Sequence, residues 1–250
     1  MVEPLLRVEH VSKRFGGLLA VNDASFAAMP REITALIGPN GAGKTTLFSI
    51  ISGFLPPSEG RVTYDGADIS HEPPHRLARR GIARTFQIVQ PFAGLTVREN
   101  IAVGAHLSRA ARDDALAAAE EVARSVDLGS QLDRPAAALT VAGRKRLELA
   151  RALAIEPKLL LLDEVLAGLN PSEIRDMMPV IRAIVARGIT VVMIEHVMQA
   201  VMTLAERILV LSEGRIIAQG TPQTVARDPR VIEAYLGHGA AARMVGARHG

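Results

Sequence analysis

A glycine-rich loop constrains this chain more than any other feature. Residues 38–46, GPNGAGKTT, follow an apolar run, EITALIG (32–38), and open a helical pattern, KTTLFSIISG (44–53). The loop fits the spacing G-x-x-x-x-G-K-[ST] with Gly38, Gly43, Lys44 and Thr45. Glycines let successive backbone N–H groups turn inward around phosphate oxygens, and the N-terminus of the following helix adds a favourable dipole. Pro39, Asn40, Gly41, Ala42 and Thr46 complete the cradle. In this arrangement Lys44 reaches the terminal phosphates of a nucleotide and the Thr45 hydroxyl is a ligand for Mg²⁺. Strand, loop and helix in this order fit an α/β fold.

A second feature answers the first. KLLLLDE (158–164) puts two carboxylates directly after four leucines. The leucine run reads as a strand buried on both faces. A buried carboxylate is costly unless something holds it. Where a phosphate loop of this kind occurs, an aspartate at the end of a hydrophobic strand helps to hold the magnesium. Asp163 fits that role, and Glu164 is then positioned to polarise an attacking water.

Apolar strands alternate with helical patterns along the rest of the chain. RVTYDGADI (61–69) reads as an antiparallel strand with a turn at Asp65-Gly66, and GIARTF (81–86) as a short strand. Between about 88 and 150 the pattern turns helical, rich in Ala, Glu and Leu, with a further helix from about 144. Strands return at 188–195, 207–212 and 215–220. The stretch 171–188 reads as a helix opened by Pro171 and closed by Gly188. The sequence therefore divides into an α/β core with a β-subdomain (1–87 and 151–236), a helical insertion (88–150) and a tail (237–250) that is expected to fray.

Composition narrows the classes. The net charge is +3 with the basic residues dispersed, which gives no nucleic-acid footprint. There is no cysteine, which excludes disulfides and thiolate metal sites. The first ten residues show no cationic segment before an apolar run, so no secretory signal is expected. The longest charge-free run, 45–58, is shorter than the roughly 20 apolar residues a membrane-spanning helix needs.

The order of loop, helical insertion, LTVAGRKRLELARAL (139–153) and KLLLLDE resembles the nucleotide-binding subunits of ABC transporters over about residues 5–236. The resemblance implies a P-loop (RecA-like) ATPase core with an antiparallel β-subdomain and an inserted α-helical subdomain, using ATP and Mg²⁺. It implies roles for matching residues. Gln87 in RTFQ matches the glutamine that approaches the metal and the attacking water, His196 in VVMIEHVM the histidine that contacts the γ-phosphate, and Phe15 in KRFGG the aromatic that stacks on adenine. The family's Leu-Ser-Gly-Gly-Gln signature is replaced by Leu139, Thr140, Val141, Ala142 and Gly143. Thr140 keeps a hydroxyl and Ala142 a backbone N–H for a phosphate brought by a second chain. Val165 stands where proline is usual, and Asn170 where aspartate is frequent.

Three stretches, RFGGLLAVNDASF, RTFQIVQPFAGLTVRENIAVGAH and GTPQTVARDPRVIEAYLG, look like the first ATPase subunit of high-affinity branched-chain amino-acid importers. Such a subunit would work at the cytoplasmic face of the inner membrane. Its partners would be membrane permeases, a second ATPase chain in a homo- or heterodimer and, indirectly, a periplasmic binding protein. The alternatives are the ATPase of a lipopolysaccharide or other lipid exporter, a non-transport ABC ATPase and a catalytically silent ATP-binding subunit. A GTPase is disfavoured because no Asn-Lys-x-Asp segment occurs.

Overall fold

A computed structural model describes residues 3–87 and 90–236. In chain order its elements are β1 (Leu6–Phe15), β2 (Leu18–Ala28), β3 (Ile33–Ile37), α1 (Lys44–Ile51), β4 (Glu59–Tyr64), β5 (Ala67–Asp68), α2 (Pro74–Arg79), β6 (Ile82–Arg84), α3 (Val97–Ala105), α4 (Arg112–Ser125), α5 (Val141–Leu153), β7 (Leu159–Asp163), α6 (Pro171–Ala186), β8 (Thr190–Ile194), α7 (Met198–Leu204), β9 (Arg207–Ser212), β10 (Arg215–Gly220), α8 (Pro222–Val225) and α9 (Pro229–Leu236). They form two compact units, one of Met1–Glu72 with Val192–Gly250 and one of Pro73–Val191. The frayed tail expected at 237–250 lies outside the described residues.

The first unit holds an antiparallel sheet ordered β2-β1-β4-β5. In β1, Leu6 faces Ala28 and Tyr64, and Val8 faces Phe26 and Val62. These two long strands have no clear period-2 signal, and the structure shows why. The pairing of β1 with β2 is broken by register shifts, and His10 and Asp23 adopt positive φ of 52° and 57°. The unit also carries strands ordered β10-β9-β3-β8. β3 pairs in parallel with β9, Thr34 opposite Arg207 and Ile37 opposite Val210. Every residue of β3 is buried, and four of the five are apolar, Thr34 being the exception. The hairpin turns at Asp65-Gly66 and Glu213-Gly214 have positive φ at both residues, as the twist of antiparallel strands favours.

In the second unit β6 pairs in parallel with β7, Ile82 opposite Leu159 and Arg84 opposite Leu161. All five residues of β7 are buried. The helical pattern after residue 90 becomes α3, α4 and α5, which sit in the same unit as β6, β7 and α6. Thr96 and Glu99 form a capping box at the start of α3, and Asn170 and Glu173 form another at α6, with Pro171 at its first turn. The Asn170 side chain accepts the N–H groups of Ser172 and Glu173, so it serves as a helix cap where the family often has aspartate. α3 and α5 approach closely. A Cβ added to Gly104 would lie 2.7 Å from the Arg151 carbonyl.

One boundary differs from expectation. The helix expected from about residue 144 begins at Val141, with Thr140 as its N-cap. The Thr140 hydroxyl accepts the Gly143 N–H at 3.2 Å. With valine and alanine in place of two glycines, only Gly143 in the first turn works against continuing the helix back to the cap.

Candidate active site

The first unit presents the phosphate loop. Gly38 and Gly43 adopt φ of 151° and 101°. A Cβ would lie 1.9 Å from the Leu211 carbonyl oxygen at Gly38 and 2.3 Å from the Ala20 carbonyl oxygen at Gly43. Glycine is required at both positions by conformation and by space. The Ala42 N–H returns to the Pro39 carbonyl, closing the loop, and the Ala42 carbonyl accepts the Gly214 N–H from the β9–β10 turn. The loop is thus tied both to itself and to the neighbouring hairpin turn.

Lys44 opens α1 and is only 6% exposed. Its ammonium donates to the carbonyls of Gly38 at 2.8 Å and Pro39 at 3.0 Å. A buried cation held against backbone carbonyls over a glycine loop suits an anionic ligand. Thr45 beside it is exposed and Thr46 half-buried, while Asn40 and Gly41 form the open rim. Phe15 ends β1, 45% exposed as a residue, with the Lys13 ammonium 5.4 Å from its ring centroid. It is free of the core, as a stacking surface must be. His196 lies just beyond β8 and is exposed.

The C-terminal helix flanks the loop's other side. Pro39, Gly41 and Ala42 share a cavity of about 590 Å³ with Glu213, Arg230 and Glu233. The Tyr235 hydroxyl accepts the Gly38 N–H. Partial burial raises its pKa, and that hydrogen bond opposes the rise.

The second unit presents the carboxylates. Asp163 ends β7, and its side chain is 4% exposed against 7% for its partner, Arg84. The Arg84 guanidinium donates to the Asp163 carboxylate at 2.8 Å. The Thr85 hydroxyl accepts the Asp163 N–H at 3.0 Å. In the sequence argument, magnesium and its waters satisfy this carboxylate. The structure adds an arginine from the neighbouring strand, placed there by the parallel pairing of β6 with β7. No local pattern announces it. Removing one member of a buried ion pair strands the other charge. Arg84→Met is therefore expected to destabilise the nucleotide-free protein by about 3–5 kcal/mol. Adding Asp163→Asn should recover much of that loss. Urea unfolding of the two single variants and the double variant measures both effects.

Glu164 follows in a left-handed backbone conformation, φ 52°, which costs a non-glycine residue about 1 kcal/mol or more. The Gln87 side-chain amide donates to the Glu164 carboxylate at 2.7 Å. The structure thus brings together the two groups assigned to the attacking water. Lys145 of α5 joins them, donating to the carbonyls of Glu164 at 2.9 Å and Gln87 at 3.3 Å. Sequence reasoning missed this lysine, whose signal is confined to its place beside the variant signature. Thr140 is exposed at the N-terminus of α5 and Ala142 half-buried in its first turn.

Comparison with known proteins decides the family. The ABC transporter family matches residues 21–167, more than half of the chain. The chain belongs to that family. A second, shorter match, to the branched-chain amino acid ATP-binding cassette transporters, covers residues 215–241. This cassette is 38% identical to the high-affinity branched-chain amino acid transport ATP-binding protein BraF of Pseudomonas aeruginosa over 95% of this chain and 99% of the relative. It is 38% identical to the corresponding LivG of Escherichia coli over the same shares. The solved nucleotide-free ATP-binding cassette of an ABC transporter superposes with a TM-score of 0.86 at 32% identity, covering 94% of this chain and all of that one. A cassette solved in its ADP conformation gives the same TM-score and coverage at 33% identity. The protein is an ATPase with the mixed α/β fold of ABC cassettes, as the loop and the resemblance led us to expect. Among the described residues no helix is long and apolar enough to cross a membrane.

Proposed function

We propose that this cassette powers the import of branched-chain amino acids, or closely related amino acids and amides, through membrane permease subunits. It would act at the cytoplasmic face of the inner membrane, paired with a second ATPase chain and served indirectly by a periplasmic binding protein. The observation that carries this reading is the match of residues 215–241 to the branched-chain class. Those residues include β10, α8 and α9, the segment that packs beside the phosphate loop.

In this reading each of these residues has its own part in ATP hydrolysis. The glycine loop and Lys44 bind the phosphates through charge-assisted hydrogen bonds. Phe15 stacks on the adenine and His196 contacts the γ-phosphate. Thr45 and Asp163 offer the hard oxygen ligands that Mg²⁺ prefers. Among the described residues no group of three or more acidic or histidine side chains forms a metal cage, which suits an ion held mostly by water and phosphate oxygens. When bound, that ion would neutralise charge on the phosphates. Glu164, held by Gln87, orients the attacking water and accepts its proton. Thr140 and the N-terminus of α5 would meet the phosphate carried by the paired chain.

Deleting the chain should abolish uptake of radiolabelled leucine or valine, and a plasmid copy should restore it. Uptake of an unrelated sugar should not change. Undiminished leucine, isoleucine and valine uptake in the deletion strain would refute the assigned substrate class.

A further inference from the structure

Lys145 is 7% exposed, an unusual place for a lysine. It lies in the first turns of α5, the helix capped by Thr140. Its ammonium bonds the main-chain carbonyls of Glu164 and Gln87, two residues far apart in sequence. The Gln87 side chain in turn bonds the Glu164 carboxylate at 2.7 Å. The three residues form a closed ring of hydrogen bonds, and every bond in it is made to a group that sets the aim of one carboxylate.

The left-handed backbone of Glu164 sharpens the point. Its φ of 52° is strained, and a strained conformation persists only where neighbours over-determine it. The Lys145 ammonium on the Glu164 carbonyl is one such neighbour. A second tie runs from the same helix to the same segment. Glu148, a turn further along α5, accepts the Phe86 N–H and pairs with Arg151 at 3.1 Å.

We infer that Lys145 is a positioning residue that fixes the Glu164 carboxylate and the Gln87 amide relative to α5, so that water activation depends on where the N-terminus of α5 lies. This rests on the reading of Glu164 as the group that polarises the water. Lys145 itself touches only main-chain carbonyls and is not catalytic.

Lys145→Met keeps the apolar stem and removes every donor. In the full chain it should lower kcat by about 10²-fold, the cost of a small misplacement at a reacting centre. KM and the equilibrium affinity for ATP should stay within about twofold, because the phosphate-binding groups are untouched. Lys145→Arg keeps a cationic donor and should restore most of kcat. Thermal unfolding is followed for each variant. Should Lys145→Met not fold, Lys145→Leu carries the same test with a shorter apolar side chain and no donor. A kcat near wild type in Lys145→Met overturns the inference. So does a loss that ATP affinity follows in parallel, or one that arginine does not repair, since both indicate general packing. Glu164→Gln is run alongside. If it hydrolyses ATP normally, the reading of Glu164 has failed and the inference falls with it. If it is inactive while Lys145→Met is normal, only the role of Lys145 is lost.

Discussion

Glu164→Gln is expected to lower ATP turnover by about 10²-fold or more while leaving ATP binding intact. The amide matches the carboxylate in shape, and its carbonyl oxygen can still accept from Gln87. It cannot accept a proton from the attacking water. The backbone at this position is held through the main-chain carbonyl by Lys145, which the substitution does not touch. Phosphate release and equilibrium nucleotide binding, measured on the same preparation, separate the two effects. Turnover within about twofold of wild type would remove Glu164 from the mechanism. The variant has a second use. Blocked hydrolysis should trap the paired state, so light scattering with ATP should report association, either of the chain alone or of a mixture with its second ATPase subunit. Thr140→Val in that background should loosen the pair by removing a hydroxyl from the facing phosphate. Association only in the mixture would mark the altered signature at Val141 and Ala142 as one half of an asymmetric pair.

Lys44→Ala should weaken ATP binding by more than about tenfold, since hydrogen bonds to charged groups contribute roughly 1.5–3 kcal/mol. The structure adds a reason for a large effect. The ammonium is already buried and aimed along the loop by the Gly38 and Pro39 carbonyls, so little ordering remains to oppose its use. Titration with ATP, accompanied by an unfolding curve, distinguishes lost binding from lost fold. Unchanged affinity in a folded variant would end the assignment of Lys44 to the phosphates.

Much of this fold is legible in the sequence. The α/β alternation, the buried β3 and β7, the turn at Asp65-Gly66 and the helix over 171–188 follow from local pattern. Their physical causes are local too: apolar runs, glycine at positive φ, and proline at a helix start. The loop at 38–46 was readable because its chemistry depends on consecutive backbone groups. The bulged strands β1 and β2 were not, because shifts in register destroy the alternation that marks a strand. The start of α5 lies about three residues before the expected position, because Thr140 caps the helix through a contact with the Gly143 N–H that sequence pattern does not display.

What sequence alone determined is the set of parts: a glycine loop at the start of a helix, a carboxylate pair at a strand end, a glutamine and a histidine in a recognisable order. Tertiary structure decided how two of those parts are held. Arg84 meets Asp163 because two strands distant in sequence pair in parallel, and Lys145 meets Glu164 and Gln87 because α5 packs on the segments that carry them. A lysine or arginine looks the same in sequence whether it is solvated or buried. Only the fold supplies the desolvated partner that turns such a charge into a structural constraint.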